Sequence, residues 1–175
     1  MKTKNNKGFS LVELIIVIAI MAILIVVLAP QYLKYIERSR NATDLDNARS
    51  IVNALQVYAI DPEVNDTIPT HYETVTVFAV NDNAHRDPRV DQYAVRALEA
   101  AGLYPLEIRT QSRTNWETWS VHYMSDGQGG ILFGYSQTGE TPAGTESFID
   151  RMESVAAASF DVDNLTGNIT MRPGK

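Results

Sequence analysis

Cysteine is absent from all 175 residues. That excludes disulfide bonds, Cys-ligated zinc, iron–sulfur clusters and thiol catalysis. Whatever folds here is held by its core alone or by neighbours. Histidine is scarce: the three residues, His71, His85 and His122, are scattered, with no HExxH or close pair, so a zinc site is not expected. No GxSxG elbow or Walker loop occurs. Basic side chains are also in deficit, 15 against 21 acidic, for a net charge of −6. Three of the fifteen, Lys2, Lys4 and Lys7, fall in the first eight positions, so the body alone carries a charge of −9. Such a body does not suit general nucleic-acid binding, which wants a basic surface. No internal repeat or low-complexity segment is present.

Charge is missing most conspicuously from Phe9–Ala29, 21 residues with one ionisable side chain, Glu13. As a helix this run spans about 31 Å, the thickness of a bilayer core. A removable secretory signal has a shorter apolar region and a small-residue cleavage site, whereas Val27-Leu28-Ala29 runs directly into Pro30. A plain anchor explains the length but not Gly8, Phe9 and Glu13 together. Flanking charge does not orient the run either: Lys2, Lys4 and Lys7 precede it and Lys34, Arg38 and Arg40 follow it. Glu13 itself is costly in lipid.

The stretch KGFSLVELIIVIAI, Lys7–Ile20, resembles the class III signal of type IV pilins and their relatives. That signal is a short basic leader ending in glycine, then Phe or Met, then a glutamate four residues on, then an unbroken apolar helix. The resemblance covers about the first thirty residues. It implies that a prepilin peptidase cuts between Gly8 and Phe9 and methylates the new amino group of Phe9. It also implies a cytoplasmic leader, a single pass through the cell membrane and an outward-facing C-terminal part, destined for an extracellular filament. Residues 9 and 13 are one helical turn apart, and a carboxylate suits the positive end of a helix dipole. The resemblance supplies the partner: Glu13 of an incoming subunit meets the Phe9 ammonium of one already in the filament. One polar pair among greasy contacts then fixes register.

Pro30 lies where the apolar run ends. A proline inside a helix removes one hydrogen bond, so a kink or local loosening is expected near residues 25–32. Beyond it, Ala42, Leu45, Ala48, Val52, Leu55 and Ala59 recur at helical spacing, and Asp61-Pro62 ends the segment. One long helix is expected from about Phe9 to Ile60. Its first half is apolar all round and its second half is an amphipathic wall. The organisation expected is a leader over 1–8, a membrane and polymerisation helix over 9–29, its amphipathic continuation over 30–60, and a head over 61–175.

In the head, His71–Val80 reads as a strand. Asp87–Gly102 reads as a helix with Asp87 as N-cap and Gly102 as stop. Trp116–Met124 and Ile131–Ser136 flank a glycine-rich hairpin turn, with Trp119, Val121 and Tyr123 on one face. Thr145–Ser159 reads as a helix and Asp161–Met171 as a strand. The fold class is therefore α+β with a mostly antiparallel sheet packed on the long helix, the lollipop that the resemblance also implies. The absence of cysteine departs from the disulfide-stapled C-terminal region of many Gram-negative pilins. No cofactor is expected. Asp126–Gly130 and Asp161–Asn164 resemble loops that bind calcium, but a hairpin turn and surface carboxylates are the default for each. Arg86, Arg89 and Arg96 are interleaved with Asp87, Asp91 and Glu99, a solvated mixed-charge face rather than a DNA site.

The function expected is a non-enzymatic filament subunit. Its partners are copies of itself, the peptidase and the assembly machinery in the membrane. Adhesion, motility or DNA uptake would ride on the head. The alternative is a pseudopilin of a type II secretion or competence system.

Overall fold

The computed structural model describes residues 9–64, 66–79, 88–154, 156–163 and 168–172. Element order is α1 (Leu11–Ile60), β1 (Glu73–Val77), α2 (Gln92–Ala100), β2 (Thr118–Ser125), β3 (Ile131–Thr138), α3 (Phe148–Glu153), β4 (Phe160–Val162) and β5 (Ile169–Met171). The chain divides into two compact units, residues 1–38 and 39–175. The architecture is α+β: a long apolar N-terminal helix followed by a globular part built on an antiparallel sheet.

In the first unit every residue from Leu11 to Tyr35 is exposed. Apart from Glu13, its part from Leu11 to Ala29 is apolar on all faces, so no single stripe of it can be hidden against a partner element. Helical structure continues through Pro30 without a break. Proline there deletes one N–H donor, but the helix does not end, and no local melting is seen in the isolated chain.

In the second unit the remainder of α1 forms one wall of the core. Leu45, Ala48, Ile51, Val52 and Leu55 are buried together with strand and helix residues of the head. The stripe departs from expectation at both ends. Ala42 is exposed and Ala59 only half-buried, while Asn41 and Asp44 are buried in line with the apolar positions. Two polar residues therefore lie on the face assigned to hydrophobes.

The main sheet has the order β1-β2-β3, antiparallel throughout. Register places Val75, Val121 and Tyr135 in one cross-strand row, and Val77, Trp119 and Gln137 in the next. Trp119, Val121 and Tyr123 share the core face as the alternation predicts, and all three are fully buried. Strand β1 is shorter than His71–Val80. The hairpin turn forms where the glycines promised it. Asp126 Oδ1 accepts the N–H of Gln128 at 2.7 Å and of Gly130 at 2.8 Å, and Gly127 and Gly129 take the positive φ that such a turn requires.

Helix α2 starts later than expected. Its N-cap is Asp91, whose carboxylate accepts the N–H groups of Tyr93 and Ala94; Asp87 lies outside the described residues. The chain before the cap is extended, because Arg89 exchanges two backbone hydrogen bonds of 3.0 Å with Thr76 at the edge of β1. Tertiary pairing thus overrides the local Asp-Pro start signal. The C-terminal end follows expectation. Gly102, at φ +70°, closes a Schellman turn in which its N–H reaches Glu99 O and that of Leu103 reaches Leu98 O.

Helix α3 covers six residues, not Thr145–Ser159. Ser147 and Asp150 form a capping box at its start. The Ala-rich remainder leaves the helix so that Ser159 N–H can bond Phe133 O at 2.7 Å and Phe160 can bury completely. The tail then forms two strands rather than one. β4 and β5 pair antiparallel as a separate two-stranded sheet. Arg172 clamps them, bonding Asp161 in β4 and Glu153 of α3.

Candidate assembly site

The residues singled out from the sequence fall in the first unit. Gly8 lies outside the described residues. Phe9 is 92% exposed, so nothing among the described residues covers the ring. Helix α1 begins at Leu11, which makes Ser10 the N-cap and Glu13 the third helical position. Glu13 is exposed and folds back on its own helix. One of its carboxylate oxygens, Oε2, accepts the backbone N–H of Ser10 at 2.9 Å. In return Ser10 Oγ accepts the N–H of Val12 at a long 3.4 Å. The Ser10 carbonyl accepts from Glu13 N at 3.1 Å and Leu14 N at 3.3 Å.

This is half of a capping box: the Glu13 carboxylate satisfies the Ser10 N–H, while the serine hydroxyl faces the Val12 N–H rather than that of Glu13. The signal was present in the sequence as Ser10-Leu11-Val12-Glu13, a serine followed three residues later by glutamate ahead of an apolar run. Glu13 thus meets Ser10 at i, i+3 as well as standing i, i+4 from Phe9. In the chain with its leader attached, the Phe9 nitrogen is a peptide amide and carries no charge. The carboxylate is therefore occupied locally, by a bond that leaves its other oxygen open.

A second polar group, also missed, lies in the head. Asp44 is fully buried. Its Oδ1 accepts the N–H of Gln111 at 2.8 Å, and its Oδ2 accepts the N–H of Ser112 and the indole Nε1–H of Trp116, each at 2.9 Å. Burial pushes its carboxyl above the ordinary value, against the pull of these donors. The arrangement pins the loop before β2 to helix α1. No periodicity rule reveals it, because an aspartate at a core position of an amphipathic helix looks like a break in the pattern.

The outer face of the main sheet is polar. His122 is buried, with Nδ1 2.9 Å from Thr74 Oγ1 and Nε2 2.7 Å from Ser136 Oγ. Burial pushes its pKa down to about 4. It is a hydrogen-bonded sheet residue. Among the described residues no cluster of three or more metal-ligating side chains occurs. Arg96 bonds Asp66 at 2.6 Å and Arg89 lies over the Phe78 ring, while Arg86 lies outside the described residues. Inside the core Trp119 stacks on Phe148 and Trp116 meets it edge-on.

A family model described as the prokaryotic N-terminal methylation motif matches residues 3–29. The chain therefore carries the class III signal of type IV pilins and their relatives. No solved structure matches the chain. The match covers the N-terminal segment, and that segment is the membrane-length helix with the Ser10–Glu13 cap at its tip. Such a signal implies processing by a prepilin peptidase.

Proposed function

We propose that this chain is a subunit of a type IV pilus. Cleavage between Gly8 and Phe9 frees an ammonium on Phe9, which is then methylated. The Phe9–Ala29 helix holds the processed subunit in the cell membrane until an assembly motor lifts it into a filament.

The observation that carries this reading is the exposure of α1. From Leu11 to Tyr35 every residue is exposed, so the described residues of this unit do not cover its apolar surface. Lipid covers it first, and the matching helices of other copies cover it afterwards. Both surroundings are apolar, so the hydrophobic gain on transfer is small. Packing and the Phe9–Glu13 pair must supply the preference for the filament. Glu13 holds the Ser10 N–H with one oxygen, and its other oxygen takes the incoming ammonium, adding an ion pair to a hydrogen bond that is already charge-assisted.

Electron microscopy of surface filaments, with mass spectrometry of the purified material, tests the proposal. This chain as the bulk component is the expected result. A chain confined to the cell envelope, absent from surface filaments, would instead support a pseudopilin, which shares the same signal.

A further inference from the structure

One strip of α1 changes character where the apolar run ends. Leu24, Val27, Leu28, Gln31, Lys34, Tyr35 and Arg38 succeed one another at three- and four-residue spacing, so they share one face. The lower three are aliphatic. The upper four line a shallow open groove on the helix surface. Lys34 and Arg38 are one turn apart on it, and no acid lies on the strip; Glu37 falls on a neighbouring one.

The positions match the layers of a bilayer. If Phe9–Ala29 fills the hydrocarbon core, Lys34 Cα stands about 7 Å above its edge and Arg38 about 13 Å above it, at about 1.5 Å per residue. The headgroup layer is roughly 5–7 Å deep on each side. Side chains of a helix tilt toward its N-terminus, here back toward the membrane. Lys34 thus reaches into the phosphate layer, and Arg38, extended along the helix toward the membrane, reaches the outer edge of that layer, as long basic side chains do. Tyr35, 72% exposed, and Tyr32, 64% exposed, stand at the level where aromatic rings favour a membrane surface. Basic residues on the outward side of a span run against the usual charge bias, and a ligand there accounts for them.

We propose that Gln31, Lys34, Tyr35 and Arg38 form a binding site for the phosphodiester headgroup of an anionic phospholipid in the outer leaflet. Lys34 and Arg38 hold the phosphate from two sides. Gln31 and Tyr35 offer hydrogen bonds to the glycerol part. The bound lipid sets the depth at which the waiting subunit rests, and extraction into a filament must break these contacts. The inference rests on the membrane-anchored reading of α1.

Native mass spectrometry of the processed full-length protein in detergent tests it, with phosphatidylglycerol titrated against phosphatidylcholine. Retention of phosphatidylglycerol is expected to dominate. The Lys34→Gln/Arg38→Gln double variant is expected to lose that preference by about ten- to thirty-fold. The charge-keeping Lys34→Arg/Arg38→Lys variant is expected to retain most of it. Equal retention of the two lipids by the unaltered protein overturns the site. So does a double variant with undiminished preference, even if it forms fewer filaments, because the cations would then serve neighbouring subunits. Flotation with pure phosphatidylcholine vesicles separates the two levels of the account. A protein that floats but shows no headgroup preference overturns this site alone. One that does not float overturns the anchor as well.

Discussion

In the chain with its leader attached, the Glu13 carboxylate accepts the backbone N–H of Ser10 at 2.9 Å. The acid that the sequence marks as the assembly residue is therefore held by its own helix cap before any partner arrives. This lowers the cost of carrying a carboxylate at the tip of the apolar helix. It also orients Glu13 without consuming both its oxygens.

Replacing Glu13 with alanine removes the acceptor for both the Ser10 N–H and an incoming ammonium. Processing depends on the scissile bond and is expected to remain near normal. Filament yield is expected to fall by an order of magnitude or more, read by shearing and quantifying surface material. Normal filaments from Glu13→Ala cells would show that the pair does not set register.

Gly8 has no side chain at the expected cut site. Substitution by a bulky residue, for example Gly8→Phe, is expected to block cleavage. Intact-protein mass spectrometry would then show the leader retained, with no methyl group on Phe9. A mature mass unchanged from the unaltered protein would displace the cut from the Gly8–Phe9 bond.

Asp44 provides a test inside the head. Asp44→Ala leaves two buried donors, Ser112 N–H and Trp116 Nε1–H, and the part-buried Gln111 N–H without an acceptor, and breaking such a set costs about 3 kcal/mol. Urea unfolding of the processed full-length protein in detergent, followed by the fluorescence of Trp116 and Trp119, is expected to show this loss. Asp44→Asn keeps one acceptor oxygen and should fall between the two. A loss under about 1 kcal/mol for alanine would mean that the donors find water instead.

His122 gives the head a pH dependence of known sign. Burial pushes its pKa down to about 4, whereas the unfolded chain takes up that proton near 6.5. Between these values the unfolded state binds more protons, so stability falls as pH drops from about 6.5 to about 4 and levels off below. The contribution is about 3 kcal/mol over the whole window. His122→Gln is expected to remove this part of the slope, measured as the difference between variant and unaltered protein in unfolding at pH 7 and pH 4.5. Identical slopes for the two proteins would mean that the ring is solvated when charged.

Much of the fold was legible because its signals are local. The long helix, the hairpin around Asp126–Gly130, the Trp119–Val121–Tyr123 face and the Gly102 stop all follow from periodicity or turn chemistry. The departures come from tertiary pairing. Asp87-Pro88 reads as a helix start, yet Arg89 is drawn into a bridge with Thr76 and the cap moves to Asp91. Thr145–Ser159 reads as one helix, yet Phe160 must reach Gly134, where an added Cβ would lie 2.7 Å from its ring, so the helix stops early. Asp44 was invisible for a related reason: its donors are supplied from Gln111, Ser112 and Trp116, far along the chain. At the candidate assembly site the signal is a short linear motif, which sequence alone carries. The Ser10–Glu13 spacing of a helix start is carried by the same stretch.

The account depends most on a freed and charged Phe9 amine. Intact-mass measurement with N-terminal sequencing, on protein taken from native membranes and from surface filaments, tests this directly. The expected result is a chain beginning at N-methylated Phe9 in both fractions. A chain beginning at Met1 in assembled filaments would contradict it, because no ammonium would then exist for Glu13 to meet.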